Sequence, residues 1–339
     1  MRTLTIVSAL VIALGVGQTT VVLSQSNGAR GGGAAAADHP LVTRSQYERW
    51  QTELSNWGRW GPNDELGTLN LITPAKRMQA AALIKEGVSV SLSSDAPKEQ
   101  AVDAPCPIEW SMLSVSAGAS FDRVGYPCIH GAGITHIDSF AHVFFNGKMW
   151  NGYPASEFVT KDRGAQKNSI LTMKQGIVTR GVLYDIPRLK GVAYLEPGTR
   201  IFVEDLEAWE KQAGVKATAG DALLLRWGRW TRRDQLGPWP INEAMAGLDN
   251  SVIPWLKQRD ISILGWETPD YAPHPPGDIA NAVHNFALGI LGIHVLDRVD
   301  LDRLAETAAA RNRWEFMLTI APLPIANGTG SPVNPIGVF

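Results

Sequence analysis

His136, Asp138 and His142 form an H-x-D-x-x-x-H pattern within the run Gly133-Ile-Thr-His-Ile-Asp-Ser-Phe-Ala-His142. Imidazole and carboxylate at this spacing are the donors of a divalent metal site. Neutral nitrogen with oxygen suits Zn²⁺, Mn²⁺ or Fe²⁺ better than Mg²⁺ or Ca²⁺, which take oxygen shells. In an extended segment side chains alternate, so His136 and Asp138 point the same way and can converge on one cation. A hydrogen-bonded turn with incidental histidines is the plain alternative for so short a pattern. The chain has no G-x-S-x-G motif, which argues against a serine-hydrolase route.

The elements that must position these residues are legible around them. Spacing predicts a helix over 42–54, then a Gly/Pro/Asn-rich loop over 56–70. A second helix is predicted over 73–86, with Thr73 as N-cap and Pro74 in the first turn. Strands are predicted over 88–92, 181–186, 222–227 and 261–265, and helices over 203–211 and 253–258. His284 falls at the start of an apolar helix and Asp297 near a helix end. His294 reads as structural, His39 lies in the leader, and His274 sits on the rigid, exposed Ala272-Pro-His-Pro-Pro276 loop. Glu267 and Asp270 are further acidic candidates near a pocket.

With 339 residues and 45% hydrophobic content, the chain can bury a substantial core. A net charge of -2 provides no broad basic field, which argues against nucleic acid and for a small-molecule substrate. Residues 1–40 read as a signal peptide and flexible leader: Arg2 precedes an apolar run, followed by Ser/Asn/Gly/Ala-rich sequence. The expectation is a periplasmic or secreted protein with no stable membrane insertion after signal removal; an uncleaved anchor is the alternative. Residues 41–339 read as one mixed α/β catalytic domain. In an oxidising compartment Cys106 and Cys128 can close a loop worth about 3 kcal/mol, or stand as two thiols.

The metal motif, together with Trp57-Gly-Arg-Trp-Gly-Pro-Asn-Asp-Glu-Leu-Gly-Thr-Leu-Asn70, Phe145-Asn-Gly-Lys-Met-Trp-Asn-Gly-Tyr153 and Gly330-Ser-Pro-Val-Asn-Pro335, resembles the cyclase family in its longer bacterial branch. That family comprises metal-dependent hydrolases that include bacterial kynurenine formamidase and isatin hydrolase. The resemblance implies an α/β, swivelling β/β/α fold with a small β-barrel-like core flanked by helices, and a homo-oligomer. It implies one or two divalent metals, Zn²⁺ first and Mn²⁺ as the alternative, held by His136, Asp138, His284 and Asp297, with His142 as acid/base. Two positions depart from the pattern. Asp297 stands where members usually carry Glu, and Ala132 stands where formamidase-type members carry a histidine, leaving His130 as either a ligand or a substrate contact. Trp57, Trp60 and Phe144 are candidates for an aromatic pocket wall.

The implied reaction is hydrolysis of an amide, formamide or lactam C–N bond by metal-activated water, arylformamidase-like, with His142 as general acid/base. Lactone hydrolysis and lyase or isomerase chemistry are the alternatives within enzymes. An exported binding protein with a decayed site, suggested by Ala132 and Asp297, is the alternative outside them.

Overall fold

The computed structural model describes residues 39–241 and 243–339. The leader reading therefore falls almost wholly outside the described residues. Residues 41–339 form one compact unit.

Its centre is a nine-stranded mixed sheet: β1 (Ser89–Ser91), β2 (His136–Asp138), β3 (Ile177–Asp185), β4 (Ala222–Arg226), β5 (Ile263–Trp266), β6 (His294–Asp297), β7 (Glu315–Ile320), β8 (Gly330–Pro332) and β9 (Ile336–Val338). Their order is β1-β9-β7-β3-β4-β5-β6-β2-β8. The inner run β3-β4-β5-β6 is parallel and every other pairing is antiparallel. Parallel strands covered on both faces read as continuous apolar runs. Accordingly Leu223, Leu224, Leu225, Ile263, Leu264, Val295 and Leu296 are all buried. Helices fill the parallel crossovers: Ile186–Lys190 and Val203–Ala213, then Arg229–Leu236 and Ile253–Arg259. The third crossover carries Ala282–Phe286, which runs on as one π-helical turn over Ala287–Leu291.

Two local expectations need correction. Thr73 does accept the Lys76 N–H and Pro74 opens the helix, but the helix ends at Ala81, not 86. The backbone beyond it is captured elsewhere, with the N–H groups of Glu86 and Gly87 donating to the Phe339 carbonyl. Asp297 is not near a helix end; it closes strand β6. Its burial comes from strand pairing, opposite His136 on β2.

Cys106 and Cys128 form a disulfide, which decides between the two readings of these residues. It joins the feet of a hairpin, Glu109–Val115 paired with Ser120–Gly125. Met112, Leu113, Val115, Phe121 and Val124 are exposed on this arm. The chain re-enters the core at Ala132 and Ile134.

Buried Glu267 fixes the turn after β4, its Oε2 accepting the N–H groups of Trp227, Gly228 and Arg229 at 2.7, 2.7 and 3.0 Å. Gly228 has φ 81°, where a side chain is strained, and an added Cβ would lie 2.7 Å from Tyr194. Removing an acceptor shared by buried donors leaves their desolvation uncompensated. Glu267→Ala is therefore expected to lower unfolding free energy by about 3 kcal/mol. Glu267→Gln, which keeps a carbonyl acceptor, should lose less than half of that, as read from urea midpoints at unchanged m-value.

Candidate metal centre

Strand β2 is short, but neighbours hold it on both edges. Asp297 and Leu296 pair with His136 and Ile137 on one side, and Gly330 and Pro332 with Asp138 and His136 on the other. Alternation puts His136 and Asp138 on one face, and His136 Nε2 lies 3.5 Å from Asp138 Oδ1. Beyond Asp138 the chain turns, with the His142 N–H donating to the Ser139 carbonyl at 3.1 Å. That turn brings the His142 ring back beside the carboxylate.

Asp138 is wholly buried and collects imidazoles from several parts of the chain. His130 Nδ1 lies 2.7 Å from Oδ1 and His284 Nε2 lies 3.1 Å from Oδ2. The His130 and His142 rings stack with centroids 3.6 Å apart, and His142 meets His284 edge-on at 5.7 Å. Gly330 makes room for this, since a Cβ there would sit 2.8 Å from His130 Cε1.

Each of three rings is held by its other nitrogen. His136 Nδ1 bonds the Ile134 carbonyl at 2.9 Å, His284 Nδ1 meets Asn285 Oδ1 at 3.0 Å, and His130 Nε2 meets Thr329 Oγ1 at 2.9 Å. One nitrogen tied to protein oxygen and the other aimed at a shared centre is how metal-ligating histidines are oriented. Ligand atoms of His130, Asp138 and His142 all lie within 4.8 Å of one another, so these three can close on one ion. The donor set fits a divalent transition metal.

The electrostatics follow from one carboxylate among four rings. Burial is the largest single influence on Asp138 and pushes its pKa up, but His136, His130, His284 and His142 outweigh it and hold the group well below the usual range. Burial pulls His284 down, yet the Asp138 bond and charge, then Asp297, raise it to about 9. His142 goes the other way, lowered to about 4 by burial and by the neighbouring imidazoles against the pull of Asp138. A neutral His142 with no ring hydrogen bond among the described residues can bind a metal or accept a proton.

The remaining candidates divide. His130, six residues before His136, occupies the cluster while Ala132 is simply buried. Asp297 stands opposite His136, but its Oδ1 accepts the Arg298 N–H at 2.8 Å instead of meeting an imidazole. Trp57 donates to the Gly289 carbonyl of the π-helical turn at 2.8 Å, and Trp60 packs 6.4 Å from Trp150, so both serve the loop that braces His284's helix. Phe144 is exposed, two residues past His142. His274 is not simply exposed; it pairs with Asp278 at 2.8 Å. Asp270 is buried and raised to about 7, by burial foremost and against the pull of His284. Thr329 and Asn285 escaped the sequence reading, because neither residue type signals that it orients a ring.

Residues 128–273 match the Cyclase family model. A solved cyclase structure superposes with TM-score 0.74 at 28% identity, covering 85% of this chain and 99% of that one. The chain is similar to the cyclase family in sequence and in fold. Isatin hydrolase A from Ralstonia solanacearum shares the fold, with TM-score 0.55 at 20% identity over 79% of this chain and 98% of that protein. Kynurenine formamidase of Geobacillus thermodenitrificans (strain NG80-2) is 29% identical over 112 residues, 33% of this chain and 46% of that relative. This chain thus matches a little under half of that relative's length. The α/β cyclase-type architecture expected from the motifs is the one found, with the sheet strongly curled into a half-barrel.

His294 supports the centre from beneath: Nδ1 bonds the Asp138 carbonyl at 3.0 Å and the ring stacks 3.8 Å from Phe140. Burial lowers its pKa to about 4. The folded pKa lies below the unfolded value near 6.5, so this group's stabilisation is complete above pH 6.5 and is lost as pH falls toward 4. At pH 5 the loss is about 2 kcal/mol relative to pH 7.5. His294→Asn, which keeps a donor for Asp138, should show that much less acid destabilisation in urea unfolding at the two pH values.

Proposed function

We propose that this chain is a metal-dependent hydrolase of C–N bonds in amides, formamides or lactams, arylformamidase-like in its chemistry. The observation that carries the reading is the convergence of His130, His142 and Asp138 within 4.8 Å, with His136 and His284 aimed at the same carboxylate. Two relatives with hydrolase names, the kynurenine formamidase and the isatin hydrolase, support it.

His130 and Asp138 would hold the ion, with His136 and His284 beside them and His142 at its edge. A divalent cation there, Zn²⁺ by preference and Mn²⁺ as the alternative, would supply Lewis acidity toward a carbonyl oxygen and toward water. Asp138 keeps the imidazole nitrogens pointed inward, and Asn285, Thr329 and the Ile134 carbonyl keep the rings from turning. His142, neutral at pH 7, accepts the water proton on a ring nitrogen and returns it to the leaving nitrogen. Burial of Asp138 and His136 keeps bulk water from competing for these bonds. A small neutral or weakly charged substrate entering past exposed Phe144 is consistent with this arrangement. We extend the proposal to an exported protein, which the Cys106–Cys128 disulfide supports, since disulfides persist in oxidising compartments.

Metal analysis by mass spectrometry on the purified protein, paired with turnover of aryl formamides and cyclic amides, tests the reading. One to two Zn²⁺ or Mn²⁺ per chain, activity abolished by chelation and restored by either ion, and metal lost in Asp138→Ala are the expected results. His142→Ala should cut kcat by about 10² to 10⁴. If it also empties the centre, His142 is a ligand before it is a base. Hydrolysis that persists in exhaustively chelated protein would refute the mechanism.

A further inference from the structure

Outside the metal centre, a poorly compensated buried charge is that of Arg229, the first residue of the Arg229–Leu236 helix. Its side chain is 3% exposed, and Nε and Nη1 have no hydrogen-bond acceptor among the described residues. The remaining nitrogen, Nη2, reaches Asp103 Oδ2 only at 3.4 Å. Asp103 is already taken by Arg233, whose Nε lies 2.6 Å from the same oxygen. The two guanidinium groups therefore share one carboxylate, and the exposed one holds it.

The other charges nearby do not make up the difference. Glu267 is close, but its Oε2 is occupied by three backbone N–H groups, and burial, with Asp302, pushes its pKa up to about 8. Burial foremost, then the charge of Arg298, lowers Arg229 to about 9 against the pull of Asp103 and Glu267. The guanidinium face is spent on Trp230, 3.9 Å from the ring centroid. Its edges are what remain available.

Arg229, Arg233 and the Asp103 they share line a cavity of about 70 Å³ together with Pro97, Ala132 and Gly133. Asp95 also lines it and is exposed. The volume suits a ligand of a few heavy atoms, and a planar guanidinium edge matches a planar carboxylate. We propose that Arg229 and Arg233 form a binding pocket for a small carboxylate, set against the Ala132–Gly133 backbone that links His130 to His136. Nothing in the hydrolytic reading uses this pocket, and it stands whether or not that reading does.

The probe is sodium acetate, compared with sodium chloride at equal ionic strength, by thermal unfolding and calorimetric titration. Wild type should show a saturable rise in Tm with acetate beyond that with chloride. Arg229→Met should abolish the response. Arg233→Ala, at a part-exposed position that folding tolerates, hands Asp103 to Arg229 and should raise half-saturating acetate at least tenfold; it decides the matter if Arg229→Met does not fold. Acetate bound by an ion at Asp138 would survive both substitutions. A response unchanged in Arg233→Ala, or no acetate-specific response in wild type, overturns the proposal.

Discussion

The site depends on one buried carboxylate. Asp138 is wholly buried, and four imidazoles stabilise its charge against that burial. A buried anion with this many nitrogen partners is stable either with protons spread over the rings or with one divalent cation among them. Alternation along β2 puts His136 beside Asp138, the turn at Ser139 returns His142, the third crossover delivers His284, and β8 lays Thr329 against His130. Antiparallel β2 and β8 form this end of the sheet. The inner parallel strands carry the apolar mass that makes the enclosure rigid.

What was legible in the sequence is what local chemistry decides. The period of two along residues 136–138 was enough to put two ligand types on one face, and Thr73-Pro74 was enough to start a helix. What was not legible depends on contacts between distant residues. His130 and Ala132 sit in one glycine-bearing segment, and which of them reaches the carboxylate depends on Thr329 and Gly330, about two hundred positions away. Asp297 in an apolar stretch fitted a helix end as well as a strand end until β2 paired with it. The early end of the Pro74–Ala81 helix was hidden for the same reason, since the competing acceptor is the carbonyl of the last residue.

Aromatic residues show how composition can mislead about location. Trp57 and Trp60 look like pocket walls by type and by their Gly and Arg neighbours. Instead they brace the 56–70 loop against Gly289 and Trp150, and Asn151 binds the same loop by accepting from Gly58 and donating to the carbonyls of Gly61 and Asp64. Two of the sequence blocks that carry the resemblance, 57–70 and 145–153, thus meet beside the π-turn that follows His284.

The hairpin between Cys106 and Cys128 extends from the body with apolar side chains in solvent, yet its second foot is two residues from His130. Mechanically the disulfide acts as a clamp across the root of a lever. With both feet tied together, load on either strand of the arm is shared between the two backbone segments that enter the body at Cys106 and Cys128.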